Sequence, residues 1–321
     1  MDKAMMESAI IAVRDCLKVT EGEQFLVVTD TKLTEIGRAL VEAGRSLGAI
    51  TTFLEMMPLS RNGEEPPKLV SQAMLYADAV LVPASTSLTH TDARRNACAN
   101  GARVATMPGI TVDTMVRGLN ADYYAIADRT KRLTDLLTAT DVARVTTAAG
   151  TDITIPINGI KAIASTGLIH EPGSFGNLPS GEAYLMPVEG ATEGVFVVDG
   201  SMAGVGDLAG KTPITIKVEK GYATEITGGP EADLLRSKLE PLGKPAFNAA
   251  ELGIGTNDAA RIIGNILEDE KVMGTIHIAL GNNVSMGGTV NVGIHLDGIV
   301  KDPTVTLDGK PIMENGKLLI D

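Results

Sequence analysis

The chain has 321 residues, a formal net charge of −12 and a pI of about 4.9. Its length is typical of two domains, and its acidic balance, without any Lys/Arg cluster, argues against a nucleic-acid-binding protein. Cys16 and Cys98 form no disulfide framework, the start lacks a signal-peptide pattern, and no apolar run reaches the about 18 residues of a membrane helix. We therefore expect a cytoplasmic protein that binds neither nucleic acid nor a membrane.

The first 140 residues alternate between short apolar segments and segments with helical periodicity. We predict strands at 23–28, 50–56, 79–83 and 103–107, and helices at 1–19, 33–47, 67–76, 92–99, 113–117 and 123–139. Short apolar strands separated by helices are typical of a parallel sheet covered on both faces. The pattern predicts an α/β domain with an open, mostly parallel sheet over residues 1–140. It contains no GxGxxG or Walker A motif, so no nucleotide site is expected.

After residue 140 the sequence consists mainly of strand-like runs broken by Gly and Pro. We predict strands at 142–147, 151–155, 161–165, 183–187, 194–198 and 213–219, helices at 231–239 and 258–267, and a β-rich tail over 274–320. This pattern predicts a second domain, α+β and rich in strands, over residues 141–321. We expect it to hold the functional site.

Five residues of this second domain could form a metal site. His295 and Asp297 are two apart in a strand-like run, so their side chains share one face, and His277 is the only ionisable residue in 274–281. Glu182 and Glu251 each lie in a run with little other charge. A lone His in an apolar strand is more often a hydrogen-bonded core residue, and a lone Glu is more often exposed. Together the three carboxylates and two imidazoles suit two divalent ions bridged by water, and a mixed oxygen and nitrogen shell favours Zn²⁺, Co²⁺ or Mn²⁺.

Four segments in order, NLPSGEAYLMP, AELGIGTN, EDEKVMGTIHIALG and GIHLDGIV, resemble the C-terminal half of the aminopeptidase T/aminopeptidase S family of metallopeptidases, in its short, leucyl-aminopeptidase-like branch. The resemblance covers residues 177–318, and the N-terminal half shares only the general α/β pattern. It implies that Glu182, Glu251, His277, His295 and Asp297 are the metal ligands. It also implies a homodimer whose site faces an enclosed cavity.

The chain departs from this family at two places. The stretch between His277 and His295 is short, and Val284 stands where the family has a catalytic Tyr. In the family that hydroxyl would stabilise an oxyanion. Its replacement could come from Tyr184, Asn282, Asn283 or His170, and the sequence does not choose among them.

The resemblance leads to an expected function and to alternatives from other classes. We expect a hydrolase, a dinuclear metalloaminopeptidase that removes the N-terminal residue of a small peptide, with Glu182 or Glu251 as the general base. The alternative is a mononuclear Fe(II) ring-cleaving dioxygenase of the dihydroxypyridine type, because His277, His295 and Asp297 make a two-His-one-carboxylate set. The missing Tyr favours the alternative and the retained glutamates disfavour it. An inactive binding homologue is the third possibility.

Three further features lie outside the proposed ligand set. Thr91 or Asp92 is predicted to cap a helix, and His90 beside them could face a ligand site. His170 is expected in a loop. The acidic run at 268–270 is expected to be a solvated helix end.

Overall fold

The computed structural model describes residues 2–320. Strands and helices alternate in the N-terminal part, as the sequence pattern predicts, and the rest of the described chain is mostly β-strand. The helices are α1 (Lys3–Ile10, continued as a π-helix over Ile11–Cys16), α2 (Thr34–Ser46), α3 (Lys68–Leu75), α4 (Asp92–Ala99), α5 (Val112–Gly118), α6 (Tyr123–Thr138), α7 (Pro230–Leu239) and α8 (Ile266–Asp269). Short 3₁₀ turns lie at Glu240–Leu242, Lys244–Phe247 and Val284–Met286.

The strands of the described chain are β1 (Gln24–Asp30), β2 (Ile50–Met56), β3 (Ala79–Ala84), β4 (Arg103–Pro108), β5 (Val142–Thr146), β6 (Asp152–Pro156), β7 (Ile163–Ser165), β8 (Phe175–Asn177), β9 (Glu182–Leu185), β10 (Glu193–Val198), β11 (Ser201–Met202), β12 (Gly206–Asp207), β13 (Ile214–Glu219), β14 (Tyr222–Thr227), β15 (Ala249–Gly255), β16 (Thr275–Gly281), β17 (His295–Lys301), β18 (Thr304–Leu307), β19 (Lys310–Glu314) and β20 (Lys317–Leu318).

The chain divides into two compact units. The first contains the residues up to Ala127 together with Thr166–Ser180, and the second contains Asp128–Ser165 and the chain from Gly181 onward. The boundary predicted at residue 140 therefore differs from the division in the structure. The segment at 166–180 returns to the first unit because β8 within it pairs in parallel with β4, a long-range pairing that no local pattern announces.

The first unit is built on a five-stranded sheet in the order β2-β1-β3-β4-β8. All its strand pairs are parallel, which confirms the predicted open parallel sheet. Helix α2 packs very close to this sheet at Gly44 and Gly37. A Cβ added at Gly44 would lie 2.4 Å from the ring of Phe25, and one added at Gly37 would lie 2.8 Å from the ring of Phe53. The two glycines thus allow an approach that any side chain would block.

The second unit contains two antiparallel sheets, which confirms the predicted β-rich architecture. One has eight strands in the order β14-β13-β10-β6-β5-β18-β19-β20, and the other has seven in the order β12-β11-β17-β16-β15-β9-β7. One buried cluster joins side chains of both, for example Phe196 and Ile216 of the first with Leu252 and Ile278 of the second. The core therefore lies between the sheets, and it leaves the other face of the seven-stranded sheet for polar groups.

The helix predicted at 258–267 is wrong, since the structure has only the short α8 there. The carboxylates of α8 explain the difference. Glu268 accepts a hydrogen bond from the backbone N–H of Arg261 at 3.0 Å, and Asp269 accepts one from that of Ile263 at 2.8 Å. These two backbone N–H groups therefore donate to side-chain carboxylates and not to the backbone carbonyls of a helix. The acidic run is not a solvated helix end either, because Glu268 and Asp269 are fully buried.

Within residues 2–320, no helix combines the length and the apolar character needed to cross a membrane.

Candidate metal centre

Strand pairing in the seven-stranded sheet brings the predicted site residues to one face. Residues directly opposite each other in an antiparallel pair point to the same side. In these pairings Glu182 lies opposite Gly255, His277 lies opposite Gly253, and His295 lies opposite Gly281. Ala279 of the central strand β16 has Glu251 opposite it on one side and Asp297 opposite it on the other. A register shift in β15 between Ala249 and Glu251 turns the Glu251 side chain toward this face.

The alternate positions on the same strands point the other way and are apolar. Leu252, Ile254, Ile276, Ile278 and Leu296 all belong to the core between the two sheets. One face of each strand therefore anchors the sheet by burial, while the other presents ionisable side chains. This alternation keeps the site on strands with a rigid underside.

Glycine at position 253 provides the room for His277. A Cβ built on Gly253 would lie 2.0 Å from Nε2 of His277 and 2.2 Å from its Cε1. The imidazole therefore lies over this glycine of the neighbouring strand, where its Nε2 meets Glu251 of the same strand and Glu182 of β9. The Gly-rich sequence around Glu251 serves this approach.

The five side chains converge through their ligand atoms. Nε2 of His277 lies 3.2 Å from Oε1 of Glu251 and 3.5 Å from Oε2 of Glu182. Nε2 of His295 lies 3.3 Å from Oε2 of Glu251 and 3.3 Å from Oδ1 of Asp297. Glu251 thus contacts both imidazoles, one with each carboxylate oxygen. The sequence-based set is brought together in full, with all five residues in the second unit.

These contacts fit a bound cation. Ligand atoms of Glu251, His295 and Asp297 all lie within 4.8 Å of one another. Neighbouring ligands that each stand ~2.0–2.2 Å from one ion are about 3 Å apart, close to the contacts seen here. His295 is also correctly oriented, because its Nδ1 donates to the carbonyl of Asn282 at 2.7 Å and leaves Nε2 for a metal. The donor set therefore fits a divalent metal ion.

The electrostatics show how closely these groups interact. Burial would lower the pKa of His277, but the hydrogen bond to Glu251 and the charges of Glu182 and Asp297 raise it to about 9. Burial likewise opposes the charge on His295, yet Asp297 and Glu251 raise its pKa well above the usual value. For Asp297 and Glu251 burial would raise the pKa, and the two imidazoles instead lower it. The carboxylates thus attract positive charge strongly, as metal ligands do.

Sequence reasoning missed Lys271, which lies within this cluster. Its side chain is only 2% exposed, and Nζ lies 2.5 Å from Oε1 of Glu182 and also contacts Glu270. Burial raises the pKa of Glu270 to about 8, against the opposing charge of Lys271. The sequence shows Lys271 only as the end of an acidic run, and in that context a lysine is usually exposed.

The other singled-out residues take varied positions. Tyr184 shares the site face, since it lies opposite Gly253 in β9, while Val284 is exposed in the turn that follows β16. Asn283 is buried and donates to Glu189 at 2.8 Å. His170 belongs to the first unit, where its Nε2 donates to the carbonyl of Asp15 at 2.7 Å.

Thr91 caps α4, as predicted, because its hydroxyl accepts a hydrogen bond from the N–H of Arg94. His90, one residue before this cap, also belongs to the first unit and is exposed. Its expected role in a ligand site stays a prediction.

Comparison with known proteins places this site in context. The family model of 2,5-dihydroxypyridine 5,6-dioxygenase (NicX) matches residues 6–320. A curated 2,5-dihydroxypyridine 5,6-dioxygenase of Pseudomonas putida is 28% identical over 191 residues, which are 54% of this chain and 53% of that protein. The alignment therefore spans about half the length of this relative.

Two solved structures share the fold over nearly the whole of both chains. The 2,5-dihydroxypyridine dioxygenase of Pseudomonas putida KT2440 has a TM-score of 0.84 at 21% identity, covering 100% of this chain and 99% of that one. Wild-type AmpT of Thermus thermophilus has a TM-score of 0.73 at 17% identity, covering 99% of each chain. At these identities the likeness is one of fold.

The expected aminopeptidase activity is wrong, and so are the hydrolase class and the peptidase description. The matching family and the curated relative are dioxygenases, which agrees with the alternative drawn from the sequence. The relation in fold to aminopeptidase T is confirmed. The ordered motifs indicate a shared scaffold, and a scaffold by itself does not determine the reaction.

Proposed function

Since the chain belongs to the 2,5-dihydroxypyridine 5,6-dioxygenase family, we propose that it is a metal-dependent dioxygenase that opens a dihydroxylated pyridine ring. The observation that carries the proposal is the meeting of two imidazoles and an aspartate on one sheet face, at contacts of 3.2–3.5 Å within the cluster. Two histidines and one carboxylate, with positions left open, are typical of non-haem iron oxygenases.

We assign one Fe(II) to this site, held by His277, His295 and Asp297. The group whose ligand atoms all lie within 4.8 Å of one another is instead Glu251, His295 and Asp297, and Glu251 lies between the two imidazoles. We favour the two-histidine set because a neutral imidazole and a carboxylate suit Fe(II), and because His277 turns its Nε2 toward the same carboxylate. When bound, Fe(II) would supply open coordination positions at which dioxygen and the electron-rich ring can both bind.

Glu251 is then the group placed to handle protons. Its carboxylate is buried and contacts both imidazoles, one with each oxygen. A charged carboxylate next to the ligands can accept the proton of a ring hydroxyl, which makes the ring more electron-rich before oxidation. Asn282 holds His295 in the tautomer that ligation requires.

The homodimer expected from the sequence is retained as a proposal, and light scattering would measure it.

The test is oxygen uptake by the iron-loaded protein. Apo protein is loaded with Fe(II) without air, then mixed with 2,5-dihydroxypyridine and labelled dioxygen. We expect uptake of one O₂ per ring consumed, loss of the aromatic absorbance, and both labelled atoms in one product molecule. Asp297→Asn should abolish iron binding and uptake, because the change keeps the shape and removes the charge that holds the cation.

A control variant and a refuting result complete this design. Asp152→Asn alters an aspartate of the same unit that pairs with Arg144 at the surface, and it should leave iron content and uptake unchanged. Iron-loaded protein that consumes no oxygen with any dihydroxypyridine isomer would refute the proposed function.

A further inference from the structure

Lys271 presents an unusual feature beside the proposed iron ligands. A lysine is almost never fully buried unless it is paired, and this one is 1% exposed. Its Nζ lies between two carboxylates, 2.5 Å from Oε1 of Glu182 and in contact with Oε1 of Glu270. The ammonium therefore takes the place between these oxygens that a small cation would otherwise take.

Glu182 connects this ammonium to the iron ligands. While Oε1 contacts Lys271, the other oxygen, Oε2, lies 3.5 Å from Nε2 of His277. Among the described residues Oε2 has no hydrogen-bond partner. One carboxylate thus contacts the ammonium with one oxygen and lies beside a proposed iron ligand with the other.

We infer that Lys271 replaces a second metal ion and so limits this centre to one. The inference rests on the proposed function in taking His277, His295 and Asp297 as the ligands of a single ion. An ion at the position of the ammonium would receive oxygen ligands from Glu182 and Glu270. The covalently attached cation occupies that position permanently, so a second divalent ion cannot enter.

The formal charges of the cluster agree with this assignment. Its carboxylates are Glu182, Glu251, Glu270 and Asp297. The ammonium offsets part of the negative charge of these carboxylates. Without it, Glu182 and Glu270 would lie next to each other with no cation between them. Removal of Lys271 alone should therefore create a second site with its ligands already in place.

The experiment counts ions and does not depend on turnover. Wild type, Lys271→Met and Lys271→Arg are stripped of metal and equilibrated with Mn²⁺ alone, and bound manganese per chain is measured by plasma mass spectrometry and calorimetry. We expect about one ion in wild type and in Lys271→Arg, which keeps the charge, and about two in Lys271→Met, as in two-metal sites. Lys217→Met, which removes a lysine from an exposed pair with Glu219, is the matched control and should bind one.

A purely structural lysine gives a different result. If Lys271 only neutralises its partners, Lys271→Met binds one ion at saturating Mn²⁺, and that outcome overturns the inference. The proposed function is judged separately, and it stands if wild type takes up oxygen. Wild type that itself binds two ions overturns the inference and the assignment of a single ion, while oxygen uptake still decides the proposed function. If Lys271→Met is unstable when its metal is removed, Lys271→Gln is used instead and is produced and purified in Mn²⁺ throughout. Recovery of folded protein with two ions supports the inference, whereas failure to fold in Mn²⁺ overturns it, because the second ion should supply the missing charge.

Discussion

Gly253→Ala tests whether the position of His277 depends on the bare backbone of the adjacent strand. The added Cβ would lie 2.0 Å from Nε2 of His277, whereas an ordinary contact begins at 3.4 Å. The ring must therefore retreat by roughly 1.4 Å, the difference between these two distances. Because His277 is fully buried in the middle of a paired strand, the shift must displace its neighbours as well.

The expected effect is large on function and moderate on stability. A misplacement of about 1 Å can cost ~100-fold in rate, so we expect oxygen uptake to fall by about that factor. The affinity for Fe(II) should fall as His277 leaves the ligand set. Overpacking a buried site costs ~1–3 kcal/mol in the free energy of unfolding, which leaves a folded protein to assay.

The assay combines bound iron, oxygen uptake and thermal unfolding followed by circular dichroism. Gly293→Ala is the control, since it lies two residues from His295 and its added Cβ would meet no atom within 4 Å. That variant should match wild type in all three measurements. Gly253→Ala with wild-type iron affinity and oxygen uptake would show that His277 does not need its present position, and it would refute the reasoning.

Two further predictions concern the first unit. Gly44→Ala should lower the free energy of unfolding by ~1–3 kcal/mol, because its Cβ would lie 2.4 Å from the ring of Phe25, while manganese binding stays intact; an unchanged melting temperature would contradict this. Glu23 is buried enough to raise its pKa, but the hydrogen bond from Arg103 at 2.8 Å lowers it below the usual 4.5. Its contribution, about 0.5–1 kcal/mol for such a pair, is thus present above the unfolded pKa and lost as the pH falls through the folded one. Glu23→Gln should melt below wild type at neutral pH and together with it in acid, and an equal difference at both pH values would contradict the assignment.

Several features follow from local sequence alone. Strands β1 to β4 of the parallel sheet were predictable because each is a short, largely apolar run and the helices between them show their own periodicity. His295 and Asp297 share a face because side chains two apart on a strand point the same way. The ordered motifs around all five site residues indicate the scaffold, since these residues and the glycines beside them are close in sequence.

Other features depend on contacts between distant parts of the chain. The return of residues 166–180 to the first sheet depends on pairing with β4, and the loss of the helix predicted at 258–267 depends on the buried carboxylates of α8. The reaction class could not be separated from peptide hydrolysis by motifs that two families on one fold have in common. The burial of Lys271 against Glu182, 89 residues earlier in the chain, is likewise invisible in sequence. Whether a lysine is solvated or serves as a fixed cation is decided only when folding removes it from water and brings a carboxylate to it.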